Sequence, residues 1–256
     1  LPGIDKNINA SLSKSGFKSI TIPLGATNIK NKINSLTIII RSYTFGDVQD
    51  SKVMLDQNKQ RIFELPKIEY TLRTIKSIIN SCEYAKKIFK KINIKIIITD
   101  DKSNKENLDR INEILSTSNF ETKLINLNEK EFENEIHPKD IDGKDISKNM
   151  KSNMRNILKS IKISQEENSD LFYFLEDDYI HTKNAITEML FSYEKLSSQL
   201  NKELFLCPAD YPYLYSNIDE AKIFFGDRSH WRTVKESLIT FMTSKKMINK
   251  YLNDLM

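Results

Sequence analysis

Apolar residues in this chain follow two rhythms. In SLTIIIRSYT and INIKIIITDDKS they form unbroken β-branched runs, Leu36 to Ile40 and Ile94 to Thr99. Such runs suit strands covered on both faces. Between them the apolar positions Leu72, Ile75, Ile78, Ile79, Ala85, Ile88 and Phe89 recur at three- and four-residue steps. That spacing predicts a helix from about Tyr70, with an interruption near Ser81. A second helix follows, with Leu108, Ile111, Ile114 and Leu115 on one face, and ETKLINL reads as a third strand from Lys123 to Leu127.

The second half continues the alternation. EKEFENEIHPKDIDGKDIS is a polar loop, and KNMKSNMRNILKSIKIS is a helix with Met150, Met154, Ile157, Leu158 and Ile161 inward. DLFYFLEDDY is a fourth strand with its end, NAITEMLFSYEKL a helix and KELFLCPADYPYLY a strand leading into a loop. A strand around Leu238 to Met242 and a last helix close the pattern. Strand–helix alternation of this kind predicts an α/β fold, an open and mostly parallel sheet flanked by helices. Residues 1–34 are weakly patterned and read as an arm or lead-in, with one domain over 35–256.

Composition narrows the picture a little. The 39 basic and 35 acidic residues leave a net charge of +4, with Lys spread over every segment. Nucleic-acid binding calls for a denser basic patch or a reading motif, so none is expected. No stretch approaches the length of a membrane span, and the opening LPGIDKNINA lacks the apolar core of a signal peptide. The expected location is the cytoplasm, with contact at the inner face of a membrane left open. Cys82 and Cys207 have neither metal spacing nor a neighbouring base. They read as reduced core residues, not as a disulfide or a nucleophile.

The candidate chemistry lies where strands end. Arg41 and Ser42, Asp100 and Asp101, and Glu176 to Asp178 each follow an apolar run. Parallel strands bring such groups to one edge, outside their carboxyl ends, where α/β sheets bind ligands. Glu176 and Asp178, one residue apart on an extended segment, point to one face. Their oxygens suit a hard divalent cation that keeps open positions for phosphate. Asp177 faces elsewhere, to a neighbouring loop.

Taken in order, IIIRSYT, ITDDKS, SNMRNILKS and FYFLEDDY resemble the motif series of family 2-like glycosyltransferases of the GT-A fold, over residues 36–180 and more loosely over 200–245. The resemblance implies a nucleotide and metal half, 35–180, and an acceptor half, 181–256. It implies transfer of a sugar from a nucleotide-diphosphate donor to a glycan, lipid-linked or protein hydroxyl, with inversion and with Mn²⁺ or Mg²⁺. Ser42, Tyr43, Asp100 or Asp101, Arg155 and Asp177 then bind the nucleotide, and Asp178 and Glu176 hold the metal. Glu176 departs from the family, which has Asp first in this motif. Arg41 stands where the family has a small residue or Pro.

An inverting transfer also needs a base for the acceptor proton. Glu236 and Asp210 are the candidates. Tyr211, Tyr213, Arg228, His230, Trp231 and Arg232 are candidates for acceptor or phosphate contacts, since rings stack on sugars and guanidinium matches phosphate. A nucleotidyltransferase would use the same paired carboxylates, but its Gly-rich phosphate loop near the first strand is missing. In a non-catalytic binding domain the strand-end acids would be solvated turns.

Overall fold

The computed structural model describes residues 28–44, 65–128, 130–139, 143–209, 211, 220–235 and 239–251. The apolar runs form β1 (Ser35–Ser42), β2 (Asn93–Asp100), β3 (Glu121–Asn126) and β4 (Leu171–Glu176). All their pairings with one another are parallel. Two short strands, β5 (Phe205–Leu206) and β8 (Phe241–Ser244), extend the sheet, β8 pairing antiparallel with β4 and β5 antiparallel with β8. The order across the sheet is β3-β2-β1-β4-β8-β5. A separate hairpin pairs β6 (Ile223–Phe225) with β7 (His230–Arg232).

Strand alternation divides the core in two. Leu36, Ile38 and Ile40 pack with α1 (Lys67–Ile88), α2 (Lys105–Ser116) and α4 (Ala185–Leu200). On the opposite face Ile39 packs with Ile97, Phe172 and Phe174, beneath α3 (Lys148–Glu166) and α5 (Lys245–Lys250). Both faces of the central strands are therefore covered, which is why their sequences run apolar without alternation. The lead-in is tied down at its end. The backbone N–H groups of Lys30 and Asn31 donate to Ser198, and that of Ile33 donates to Glu194, both on α4.

Two local expectations change. First, α1 runs unbroken through Ser81, whose hydroxyl is buried and accepts the backbone N–H of Ile186 at the start of α4. A polar residue in the apolar stripe here is an interhelix contact rather than a break. Second, the inward face of α3 is polar at its amino end. Met150 is exposed and Met154 and Ile157 are half-buried, while Ser152, Arg155 and Asn156 are buried with Leu158 and Ile161. That end of the helix lies over the polar edge of the sheet, so polar side chains find partners there.

One carboxylate fastens the hairpin to the body. Glu188 on α4 accepts the backbone N–H groups of Asp227 (3.1 Å) and Arg228 (2.7 Å), the indole N–H of Trp231 (3.0 Å) and the Ser192 hydroxyl. Burial alone would raise its pKa, but these donors together hold it below the ordinary value. The clip requires glycine at 226, because a Cβ there would lie 2.0 Å from the Glu188 Oε1.

Glu188→Ala leaves four donors without their acceptor and is expected to cost roughly 1–3 kcal/mol of stability. Gly226→Ala is expected to act in the same direction. Urea unfolding of both variants measures this, and unchanged midpoints would mean that the hairpin does not depend on the clip. The contribution of Glu188 is present above the ordinary carboxylate pKa and is lost as pH falls below it.

Candidate functional site

The order of strands reverses beside β1. From β1 the chain runs outward to β2 and β3, then returns to place β4 on the other side of β1. The crevice at such a reversal, outside the carboxyl ends, is where α/β sheets take ligands. Here it lies between Arg41–Tyr43 at the end of β1 and Glu176–Asp178 at the end of β4, and Arg41 and Glu176 are register partners.

Strand β4 ends at Glu176, and Asp177 and Asp178 form a turn rather than continuing the extended segment. The three acids therefore part company. Asp177 is buried and turns towards α1. Its Oδ2 accepts the Thr71 hydroxyl (2.7 Å) and the backbone N–H of Tyr43 (3.3 Å), and its Oδ1 lies 2.6 Å from the Lys67 ammonium. Lys67 and Thr71 are four apart on α1 and so present one face to the turn. Asp178 lies 3.4 Å from the same ammonium and is much more open to solvent.

Glu176 is half-buried beside Arg41, at 3.3 Å. Burial raises its pKa, opposed by Arg41 and reinforced by Asp178 and Asp177. Arg41 itself is only 4% exposed. It crosses Glu176 to donate from Nη1 to the carbonyl of Ile239 (2.9 Å), just before β8. Its Nε and Nη2 have no hydrogen-bond partner. Burial lowers the pKa of the guanidinium, and Glu176 pulls it back up.

At the end of β2 the paired acids divide their work. Asp100 accepts the backbone N–H of Ser103 (2.9 Å) and its hydroxyl (2.5 Å), which builds the turn into α2. Burial raises its pKa, and the Ser103 bonds act against that. Asp101 is fully buried, 3.5 Å from the Arg155 guanidinium, and both its carboxylate oxygens lack a hydrogen-bond partner. Asn156, which the sequence did not single out, braces this edge. Its Nδ2 donates to the carbonyls of Ser42 (3.0 Å) and Thr99 (3.1 Å), and its Oδ1 bonds the Thr99 hydroxyl. Lys67 was missed as well. Both carry ordinary helix-surface side chains, and only the packing of α1 and α3 brings them to the edge.

Of the candidates, Ser42, Tyr43, Asp100, Asp101, Arg155 and Glu176–Asp178 come together at this edge. Tyr211 reaches it indirectly, its hydroxyl 2.6 Å from that of Tyr179, the residue after the acidic turn. The hairpin candidates bond elsewhere: Trp231 to Glu188, and Arg228 to Tyr84 and Asp227. His230 stacks edge-on against Phe225, and Arg232 is half-buried. A cavity of about 820 Å³ lies between α4, β5 and the hairpin, lined in part by Leu196, Phe205, Tyr211, Trp231 and Phe241. Asp210, Tyr213 and Glu236 lie outside the described residues. Cys82 is a buried free thiol, as the sequence suggests, whereas Cys207 is half-buried in the wall of the cavity.

Among the described residues, no group of three or more His, Cys, Asp or Glu side chains is placed to hold a metal ion. The open carboxylate of Asp178, with Glu176 beside it, is still the donor type that Mg²⁺ or Mn²⁺ takes when phosphate oxygens complete the shell. The residues present fit a cation that arrives with a phosphate ligand better than a cage built by protein alone.

His181 secures the far side of the turn. Its ring bonds the Tyr173 hydroxyl through Nε2 (2.7 Å) and the Tyr179 carbonyl through Nδ1 (3.2 Å), and its backbone N–H donates to Ser77. A carbonyl can only accept, so Nδ1 carries the proton and Nε2 accepts from Tyr173. Burial lowers the His181 pKa to about 4, the Tyr179 carbonyl acting weakly the other way.

No protein-family model matches this chain, and no curated protein matches it. Several solved structures do. A crystal structure of S. aureus TarS is similar over 68% of this chain and 21% of that one, at 12% identity and a TM-score of 0.35. A structure of S. aureus TarS 1-349 is similar over 86% of this chain and 49% of that one, at 11% identity and a TM-score of 0.41. Core-mannan synthase A (CmsA/Ktr4) from Aspergillus fumigatus, in an Mn/GDP form, is similar over 77% of this chain and 45% of that one, at 10% identity and a TM-score of 0.25. The chain thus spans less than half the length of each.

A histidine buried neutral favours folding only while it stays neutral. Below its ordinary pKa of 6.5 the unfolded chain takes up a proton that the folded chain, at about 4, refuses. Stability is therefore expected to be full above that ordinary value and to decline as pH falls towards the folded one. His181→Gln should flatten this part of the profile. Urea midpoints of both proteins at about pH 7 and about pH 5 test it, and identical slopes would remove His181 as the cause.

Proposed function

We propose that this chain is a GT-A-type glycosyltransferase that moves a sugar from a nucleotide-diphosphate donor to an acceptor hydroxyl. The observation that carries the reading is the crevice at the β1–β4 reversal, where buried Asp177 fixes a turn that presents Asp178 beside the Lys67 ammonium. A diphosphate leaving group needs positive charge as its bond to the sugar breaks. Lys67, Arg41 and Arg155 bring cations to this edge.

In this reading the donor lies along the edge. Asp101, a carboxylate without a hydrogen-bond donor, takes an N–H of the base. Asp178, with Glu176, would hold a divalent cation, Mn²⁺ or Mg²⁺, which supplies further charge to the diphosphate when bound. The acceptor approaches from the side of the cavity and Tyr211. Its hydroxyl oxygen attacks the anomeric carbon from the side opposite the diphosphate, whose bond breaks with inversion. The proton passes to a base, for which Glu236 and Asp210 are the candidates. No helix among the described residues is long and apolar enough to cross a membrane.

Calorimetric titration with UDP and GDP, with and without Mn²⁺, tests the proposal. One of them is expected to bind, more tightly with the metal. Asp178→Ala is expected to lose the metal effect and at least a hundredfold in transfer rate, roughly the cost of removing one charge-stabilising group. Arg155→Ala should weaken nucleotide binding. Failure of both nucleotides to bind, or full metal dependence in Asp178→Ala, would overturn the assignment of this edge.

A further inference from the structure

The acidic turn already holds a cation. The Lys67 ammonium lies 2.6 Å from the Asp177 Oδ1 and 3.4 Å from the Asp178 Oδ2, so both carboxylates reach the same charged atom. The third acid is engaged in the same way, Glu176 with the Arg41 guanidinium at 3.3 Å. The helix itself does not explain the lysine. Lys67 is the first residue of α1, the end at which a helix dipole disfavours positive charge. The two aspartates hold it there.

A divalent cation at Asp178 would meet this ammonium. It would compete for the Asp177 and Asp178 oxygens, and two like charges so close repel each other. A diphosphate changes that balance. Its oxygens bring negative charge that both cations can face, and they complete the shell of the ion. Without the ammonium, Asp177 and Asp178 would be two carboxylates that reach one point, with nothing to set against a bare ion.

We propose that Lys67 excludes a bare divalent cation from the acidic turn, so that the ion enters only together with the donor diphosphate. The donor half of this rests on the transfer reading. The exclusion rests on the ammonium and the two aspartates. Metal and donor then bind as one unit, and the crevice does not trap an ion that has no substrate with it.

Mn²⁺ alone, titrated with the free ion followed by electron paramagnetic resonance, tests the exclusion without nucleotide. Wild type is expected to bind it weakly. Lys67→Met should bind it at least about tenfold more tightly, within the usual range of coupling between two ligands. Lys67→Arg keeps the charge and should bind as weakly as wild type. Lys67→Met with Asp178→Ala should lose the gain. Because Lys67→Met also takes a partner from buried Asp177, its urea midpoint is a second measure. Added Mn²⁺ should raise that midpoint and leave the wild-type one unchanged. Equal Mn²⁺ affinity with an unmoved midpoint in Lys67→Met, tight binding by wild type, the same gain in Lys67→Arg, or a gain that survives Asp178→Ala would overturn the proposal. UDP and GDP read the donor half. The advantage that Mn²⁺ gives nucleotide binding in wild type should shrink in Lys67→Met by the factor that Mn²⁺ affinity gains. An undiminished advantage would overturn that half. Failure of both nucleotides to bind wild type would sink the transfer reading, while the nucleotide-free titrations still decide the exclusion.

Discussion

A carboxylate cannot be held inside a protein without partners, and Asp177 is held inside this one. Its three partners come from two elements: the backbone N–H of Tyr43 after β1, and Lys67 and Thr71 on α1. The Asp177 carboxylate therefore locks the exit of β4 to the exit of β1 and to the first turns of α1. Everything else at the edge depends on that lock. With Asp177 turned inward, Glu176 stays on the sheet beside Arg41, and Asp178 is left at the surface of the crevice.

The same economy of partners runs outward from the lock. Arg41 spans Glu176 to reach Ile239, so one buried cation links β1, β4 and the approach to β8. Asn156 ties the ends of β1 and β2 from α3. His181 holds the chain after the acidic turn against Tyr173 and α1. The crevice is thus braced on both sides before any ligand enters. Buried groups without a hydrogen-bond partner, among them both oxygens of Asp101 and the Nε of Arg41, lie along it.

The strands were legible because a strand buried on both faces must be apolar throughout, and few other structures demand that of Leu36–Ile40 or Ile94–Thr99. The acids at their ends were legible for a related reason, since polarity returns where the chain leaves the core. Periodicity misjudged α1 at Ser81 and α3 at Met150, where a polar residue packs inward and an apolar one outward. In both places a neighbouring element supplies the partner, and a single-helix pattern contains no information about neighbours. The Glu188 clip escaped notice for the same reason. A glutamate within an apolar helix face looks like a surface residue until the hairpin arrives with three N–H donors.

Local chemistry alone thus settled the α/β alternation, the parallel central strands and the clustering of acids at one edge. Burial and backbone periodicity act over a few residues and are written directly in the chain. Tertiary structure decided which acid does what. Glu176, Asp177 and Asp178 are adjacent and nearly identical in chemistry. Arg41, Lys67 and Thr71, from 106 to 135 positions earlier in the chain, make one a sheet-edge ion pair and one a buried lock, and leave one exposed at the crevice. Charge and hydrogen bonding act through space, so only the folded packing of α1 and β1 against β4 assigns those roles.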